Sequence, residues 1–248
     1  MKTSNLLLLI AFVVLVILSV VGIYVVKTNL EEYLPQQGEA FSTQKELLPF
    51  GQIKVEGTLT IEFVQDTICQ LSVQADSATQ EKIQVSVLDD VLSIKLERRI
   101  SKGIQCELRG PMFSKLSVSA GSTFRSSDSL SSPALDLTAN AGAIINLRGK
   151  FGLVNAELNA GSTLKMEGEG DSIDITANAG STVKMKKFAS QKASVKANSG
   201  SEIAINSVTI EASASSGAAV HYNEDALLKS ENTSSGGRIW TYSVKQKK

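Results

Sequence analysis

Hydrophobic and polar positions alternate along most of this chain, and a short glycine-centred motif interrupts the alternation at regular intervals. The motif has the form [Ser/Asn]-[Ala/Ser]-Gly-[Ser/Ala/Gly], and its glycines are separated by 21, 19, 19, 20, 17 and 19 residues. The seven glycines are Gly121, Gly142, Gly161, Gly180, Gly200, Gly217 and Gly236. A near-constant period of this length is typical of a solenoid, in which each repeat forms one coil and buries its apolar face by stacking on its neighbours.

The columns of residues around these glycines indicate what kind of coil repeats. An apolar residue stands three places after each glycine, from Phe124 to Ile239, and a second apolar column stands five places before the first six glycines. The positions between are mostly polar, and this period of two is typical of short strands with one buried face. A leucine-rich repeat would need a helical segment in each unit, and a hairpin meander would not keep one glycine at a near-constant step. The sequence therefore predicts an all-β fold, a parallel β-solenoid (β-helix) with coils of about 19–20 residues.

The glycine motif is predicted to form the corner of each coil, because glycine adopts positive φ without a steric penalty. An asparagine stands two places before the glycine in four consecutive repeats, at Asn140, Asn159, Asn178 and Asn198. Stacked at the strand spacing of about 4.8 Å, their amides would hydrogen-bond along the stack. We interpret them as a structural ladder rather than as an exposed row that binds a ligand.

The chain begins with a separate apolar segment. Residues 6–26 contain no charged residue, and about twenty apolar residues suffice to cross a bilayer. The segment is longer than the apolar region of a cleaved signal peptide and has no small-residue cleavage site. It is therefore predicted to be an uncleaved transmembrane signal anchor that holds the body outside the cytoplasm, with secretion after signal cleavage as the alternative.

The rest of the chain divides by pattern. Residues 27–50 have no sustained period and are predicted to be a linker or stalk, with a short amphipathic helix as the alternative. Residues 51–110 alternate like strands but lack the glycine motif, so they are predicted to form an edge module that caps the coils of residues 111–240. Residues 241–248 form a basic tail. Trp240 is expected to cover the last coil or, alternatively, to dock a partner.

Parts of the edge module carry a resemblance to a known family. These are residues 57–65 (GTLTIEFVQ), 71–76 (LSVQAD) and 87–94 (VLDDVLSI). With the glycine repeats that follow, they resemble the bacterial family described as "putative auto-transporter adhesin, head GIN domain", over about residues 51–240. The resemblance implies an exported β-helix-like domain and supplies no catalytic residue. Many relatives look like secreted proteins or lipoproteins, whereas this chain keeps a long apolar segment, which counts against display at the cell surface and leaves an inner-membrane anchor with a periplasmic body open.

Residues able to carry chemistry are few. The single histidine, His221, has no second histidine with which to form a metal site. Asp136 and Asp174 share one column two coils apart, at roughly 9.6 Å, which is the wide limit for a pair of glycosidase carboxylates. A solvated outer face is the preferred interpretation of that pair. No catalytic, cofactor or metal site is therefore predicted.

The overall charge does not indicate a nucleic-acid partner, because the chain carries 25 basic and 25 acidic residues. A local basic cluster follows one corner, at Lys184, Lys186 and Lys187. This cluster is expected to face Glu167 and Glu169 of the preceding coil, and cross-coil charge pairing accounts for it without a ligand.

Both cysteines fall in the edge module. Cys69 and Cys106 have the strand parity of apolar neighbours, so both are predicted to point inward. In an oxidising compartment they are a possible disulfide. Two separate buried thiols are the alternative, because bridging requires that the two Cα atoms lie within reach.

Together these features predict a membrane-anchored extracytoplasmic β-solenoid, periplasmic or at the cell surface, that is not an enzyme and acts by presenting a surface. Adhesion or a structural role in the cell envelope is the leading interpretation, with a glycan or cell-envelope polymer as the expected partner. The alternative is a β-helix enzyme acting on a polysaccharide, which would need long loops that coils of 17 to 21 residues do not provide. A scaffold that polymerises end to end is disfavoured by the capped ends.

Overall fold

A computed structural model describes residues 41–97 and 104–243, which belong to one compact unit. The predicted membrane anchor at residues 6–26 and most of the predicted linker lie outside these residues. Within the described ranges, no helix is both long enough and apolar enough to cross a membrane.

The described chain is built almost entirely of β-strands. In chain order the strands are β1 (Phe41–Glu46), β2 (Gln52–Glu56), β3 (Leu59–Gln65), β4 (Gln70–Ala75), β5 (Ile83–Leu88), β6 (Val91–Leu96), β7 (Ile104–Gly110), β8 (Lys115–Ser119), β9 (Thr123–Ser126), β10 (Leu130–Ala139), β11 (Ile144–Leu158), β12 (Thr163–Ala177), β13 (Thr182–Ala197), β14 (Glu202–Ala214), β15 (Ala219–Asn223), β16 (Leu227–Thr233) and β17 (Arg238–Tyr242). A short helix, α1 (Ser77–Gln80), lies between β4 and β5, and the Asp76 side chain caps its N-terminus.

Consecutive coils stack in parallel, in the register expected from the repeat. The buried column that follows the corners consists of residues paired directly across neighbouring strands, namely Phe124, Ile145, Leu164, Val183, Ile203, Val220 and Ile239. The first six of these side chains are completely buried. The predicted β-solenoid is therefore confirmed, and its interior is filled by stacked apolar columns.

Each glycine motif forms a tight turn in which two consecutive residues have positive φ. At residues 159–162, φ is 52° for Ala160 and 71° for Gly161. In six of the seven corners the fourth residue donates its N–H to the carbonyl of the first, at 2.9–3.3 Å, as in a type I′ turn. The corners also bond to one another, since the Gly161 N–H donates to the Ala179 carbonyl at 3.0 Å and the other coils repeat this contact.

A second bend follows two of the corners, and a pair of glycines forms it. Gly149 on β11 pairs with Gly168 on β12, and φ of Gly168 is 126°. A Cβ atom on Gly168 would clash with the carbonyl oxygen of Gly149, whereas a Cβ on the corner residue Gly161 would meet nothing within 4 Å. The corner therefore needs glycine for its φ alone, and the second bend needs it for space as well.

The first coil in the sequence is not the first coil in the stack. Strand β2 pairs in parallel with β6 on one side and with β8 on the other, and β3 lies in the same way between β7 and β9. The segment β2–β3 is thus inserted between two segments that both follow it in sequence. Phe63 of this segment packs with Phe113 and Phe124, with ring centroids 5.0–5.9 Å apart.

Antiparallel strands close the N-terminal end of the solenoid. Strand β4 pairs with β7, β1 pairs with β4, and β5 pairs with β6, all antiparallel. Strand β1 falls inside the segment predicted to be a linker. The folded body therefore starts earlier than the predicted boundary at residue 51, because the backbone of β1 completes the edge of this cap.

Candidate functional site

Each coil presents outward side chains before its corner and after it. The pre-corner face consists of the outward side chains of residues 134–139, 153–158, 171–177, 191–197 and 208–214. The post-corner face consists of the outward side chains of residues 144–150, 163–169, 182–187 and 202–206. The post-corner segments contain six basic and three acidic residues, whereas the pre-corner segments contain two basic and five acidic residues. The balanced charge of the chain is therefore segregated, with opposite signs on the two sides of the corners.

Glu167 lies on the post-corner face and contacts three cations. Its carboxylate accepts hydrogen bonds from Lys165 Nζ at 3.0 Å and from an Arg148 guanidinium nitrogen at 3.1 Å. The Lys187 ammonium lies 3.5 Å away. The hydrogen bond from Lys165 is the main cause that lowers the pKa of Glu167 to about 2, against the opposing effect of burial. The carboxylate is therefore ionised at neutral pH, and the three cations outnumber it.

The predicted basic cluster pairs only in part as expected. Lys187 contacts Glu167, but the ammonium that contacts Glu169 belongs to Lys150, at 2.5 Å. Lys184 pairs in register with Lys165, so two lysines occupy neighbouring strands. Lys186 lies near an aromatic ring instead. Its Nζ is 4.4 Å from the centroid of the Tyr242 ring.

A groove lies beside these lysines because neighbouring coils differ in length there. Met185 pairs with Ile205, and the next pair is Ala189 with Asn206, so residues 186–188 bulge from β13 relative to β14. The groove has a volume of about 350 Å³ and is lined by Lys165, Lys184, Lys186 and Lys187 together with Glu167 and Glu202. This local departure from the repeat gives the post-corner face a concave path.

Aromatic rings mark the C-terminal end of this side of the solenoid. His221 and Trp240 pair in register, with ring centroids 4.0 Å apart and planes at 70°. Trp240 keeps 41% of its surface exposed. The Tyr242 hydroxyl donates to the Ile205 carbonyl at 2.9 Å. Burial lowers the pKa of His221, and the nearby Glu202 carboxylate, 3.3 Å away, opposes that shift.

The four asparagines two places before the corner glycines form one column of side-chain hydrogen bonds. The amide nitrogen of Asn159 donates to Asn140 Oδ1 at 3.1 Å, that of Asn178 to Asn159 at 3.0 Å, and that of Asn198 to Asn178 at 3.0 Å. The Ser215 hydroxyl continues the column by donating to Asn198 Oδ1 at 2.7 Å. These amides therefore bond mainly to one another, along the row of corners.

The two carboxylates considered as a catalytic pair lie on the pre-corner face. Asn155 Nδ2 donates to Asp136 Oδ1 at 2.8 Å, and Asn155 pairs in register with Asp174 on its other side. Both aspartates are exposed on an open strand surface. Across the described part of the chain, no group of three or more His, Cys, Asp or Glu residues is placed to hold a metal ion.

Both cysteines are free thiols. In the antiparallel ladder of β4 and β7, Cys106 pairs with Val73. Val73 is four residues after Cys69, so the two cysteines lie roughly 13 Å apart along the strand direction. A disulfide requires Cα atoms within about 7 Å, so the considered bridge is absent for a geometric reason. Burial raises the pKa of the Cys106 thiol to about 12, whereas Cys69 is only half-buried.

The family of this chain follows from comparison of its sequence with known families. The profile of the family described as "Putative auto-transporter adhesin, head GIN domain" matches residues 49–226. The chain belongs to this family. No curated protein matches the sequence of this GIN-domain protein.

Solved structures from Bacteroides and Parabacteroides share the fold of this GIN-domain protein. A "putative adhesin" from Bacteroides fragilis has a TM-score of 0.72 at 16% identity, over 82% of this chain and 97% of that one. A "putative adhesin" from Parabacteroides distasonis has a TM-score of 0.66 at 16% identity, over 83% and 98%. A "putative lipid binding protein" from the same organism has a TM-score of 0.65 at 13% identity, over 83% and 97%. At such low identity the similarity shows the fold alone.

Proposed function

We propose that this GIN-domain protein is an extracytoplasmic, non-enzymatic binding module that presents the outer surface of its solenoid to a glycan or cell-envelope polymer. The observation that carries the proposal is the register of the outward side chains, which repeat from coil to coil at the strand spacing. A polymer with repeating units can contact several coils at once, so weak contacts add up. The adhesin description of the family supports the same function.

The surface chemistry supports binding rather than polysaccharide cleavage. Asp136, one member of the candidate acid pair, accepts a hydrogen bond from Asn155 on an exposed strand surface. His221 packs edge-to-face against Trp240 and lies 3.3 Å from the Glu202 carboxylate. The corner glycines and asparagines are proposed to be structural, because their conformations and hydrogen bonds build the corners.

Co-sedimentation with insoluble cell-wall material and with soluble polysaccharides tests this function. The full-length protein in a nonionic detergent is expected to bind at least one polymer, and the polymer is expected to keep its length after prolonged incubation. Release of new reducing ends or of shortened chains would overturn the proposal in favour of the enzyme. Failure to bind any polymer would also overturn it.

The membrane anchor is a second part of the proposal. The uncharged segment at residues 6–26 is proposed to hold the module in a membrane with the body outside the cytoplasm. Protein from its native host is then expected to keep Met1 and to stay with membranes in high salt or carbonate. A mature N-terminus beyond Gly22 would show a cleaved signal instead.

A further inference from the structure

We infer that the polymer is an anionic glycan and that it lies along one row of the post-corner side, parallel to the stacking direction of the coils. This inference rests on the proposed function and adds the charge of the ligand and the place where it binds. The axial row consists of the residues four places after each corner glycine, which are Arg125, Asn146, Lys165, Lys184, Ala204, His221 and Trp240. Each pairs in register with the next, so the row crosses seven strands at steps of about 4.8 Å.

The middle of the axial row carries positive charge that the protein does not neutralise. Lys165 and Lys184 lie on directly paired positions of neighbouring strands, where like charges destabilise a sheet. Lys165 shares one carboxylate, that of Glu167, with two other cations. Within the described residues, Lys184 has no ion-pair partner. Such a conflict between local charges is expected at a functional surface, since a bound anion offsets the repulsion.

The groove beside β13 gives the axial row a concave path. Ala204 takes the place of a long side chain in the row, and it is 7% exposed, so the surface between Lys184 and His221 is a depression. Lys186 extends over the Tyr242 ring and lines the same groove. A linear chain lying here is contacted from its sides as well as from below, and it buries more surface than on a flat strand face.

The aromatic end of the row favours a sugar chain over other polyanions. Trp240 exposes 41% of its surface at the last position of the axial row. The apolar faces of sugar rings pack well on a large ring that also has hydrogen-bonding groups beside it. The Glu202 carboxylate lies 3.3 Å from His221 and would repel acidic groups at this end. The acidic groups of the polymer therefore contact the lysines, and the neutral face of a sugar ring packs against Trp240.

An anionic membrane would suit the same cations, but the distribution of apolar residues argues against it. Binding to a membrane surface requires contiguous apolar surface that inserts beside the cations. On this side of the described solenoid the exposed large apolar residues are Ile144 and Trp240. They lie five strand steps apart, which is about 24 Å. Two isolated side chains at that separation do not make an inserting surface.

The test compares polygalacturonate with the same polymer after methyl esterification, which keeps the sugar backbone and removes the carboxylates. The full-length protein in nonionic detergent is expected to bind polygalacturonate at least about tenfold more tightly than the ester, with the difference shrinking as salt is added. Lys165→Gln/Lys184→Gln is expected to weaken this binding about tenfold. The matched Lys192→Gln/Lys196→Gln removes the same charge from the pre-corner face and is expected to change binding by less than about twofold.

The Glu167→Gln variant tests whether the Glu167 carboxylate only offsets the positive charge of its neighbours or itself contacts the ligand. It removes the single carboxylate among three cations, so it is expected to tighten binding of polygalacturonate by about two- to threefold. Weaker binding by this variant would overturn the inference, because it would make the carboxylate itself a contact for the ligand. Thermal unfolding of each variant establishes that the substitution leaves the protein folded.

The remaining outcomes distinguish this inference from the function on which it rests. Equal binding of both polymers, unaffected by the lysine substitutions, overturns the inference and leaves the proposed function standing. If the protein binds neither of these polymers but binds an uncharged cell-wall polymer, the inference is likewise overturned and the proposed function stands. Binding to phosphatidylglycerol nanodiscs but not to phosphatidylcholine nanodiscs, without binding to any polymer, overturns both and assigns the cations to a membrane.

Discussion

The two faces that flank the corners are made by one repeat, yet they differ in regularity and in charge. On the pre-corner face the ladders from β10 to β14 pair without a register shift, and acidic residues outnumber basic ones. On the post-corner face both ladders that β13 makes contain a register shift, and basic residues predominate. Strict repetition thus builds the frame, and the departures from it produce the groove and the lysine cluster. The proposed site lies where the repeat is broken.

The largest predicted effect concerns the bend on the post-corner face. Gly168→Ala is expected to lower the free energy of unfolding by about 3–5 kcal/mol, because an unfavourable φ and a clash with a neighbouring backbone oxygen add together. Urea unfolding of the variant and the parent measures it. Gly161→Ala is the control, since its Cβ meets open space, and it is expected to cost about 1–2 kcal/mol. Equal losses would mean that the second bend is not a tight contact between coils.

The corner between the two faces should be sensitive to a branched side chain. Gly161→Val is expected to cost about 1–3 kcal/mol, because β-branched residues are strained at φ 71°. Thr163→Val, two residues further along the same coil, is expected to change stability by no more than about 0.5 kcal/mol. Both are read from urea unfolding curves. Small and similar effects would show that the glycine motif does not impose the corner.

The asparagine column gives a smaller effect. Asn159→Ala removes hydrogen bonds to Asn140 and from Asn178, so it is expected to cost about 1–2 kcal/mol. Asn155→Ala removes one exposed hydrogen bond on the pre-corner face and is expected to cost about 0.5 kcal/mol or less. If the two variants unfold at the same urea concentration, the column contributes no more than an ordinary surface contact.

The smallest effect is the pH dependence that Glu167 contributes. Its folded pKa of about 2 lies below its ordinary value of 4.5, so the ionised carboxylate stabilises the fold above pH 4.5, and this contribution is lost as the pH falls towards 2. The difference in stability between the parent and Glu167→Gln should therefore shrink from pH 4.5 to pH 2. Urea unfolding at a series of pH values measures it. A constant difference would mean that the three cations do not hold the carboxylate in its charged form.

Local pattern was sufficient to predict the coils but not the order in which they stack. The buried column from Phe124 to Ile239 and the corner glycines recur at one period, so parallel stacking follows from the sequence alone. The insertion of β2–β3 between later segments depends on long-range pairing, which no period specifies. The same is true of β1, a short strand without a repeat, which lies in the segment predicted to be a linker.

The candidate site was predictable only in part. The alternation in the sequence places Lys165 and Lys184 on one outward column, but the balanced overall charge gives no sign that charge is segregated between the faces. The groove arises from the bulge at residues 186–188, and its depth depends on how β14 pairs with β13. The contact of Lys186 with Tyr242 spans several coils, and only the folded chain brings the two together.

The central claim is that the post-corner face, and not the pre-corner face, contacts the polymer. Lysine footprinting tests it directly. The full-length protein is acetylated with an amine-reactive reagent, with and without polygalacturonate, and modification is quantified for each lysine by mass spectrometry. Lys165, Lys184 and Lys187 are predicted to be protected by the polymer, while Lys192 and Lys196 react at unchanged rates. Equal protection of all five, or protection of Lys192 and Lys196 alone, would contradict the account.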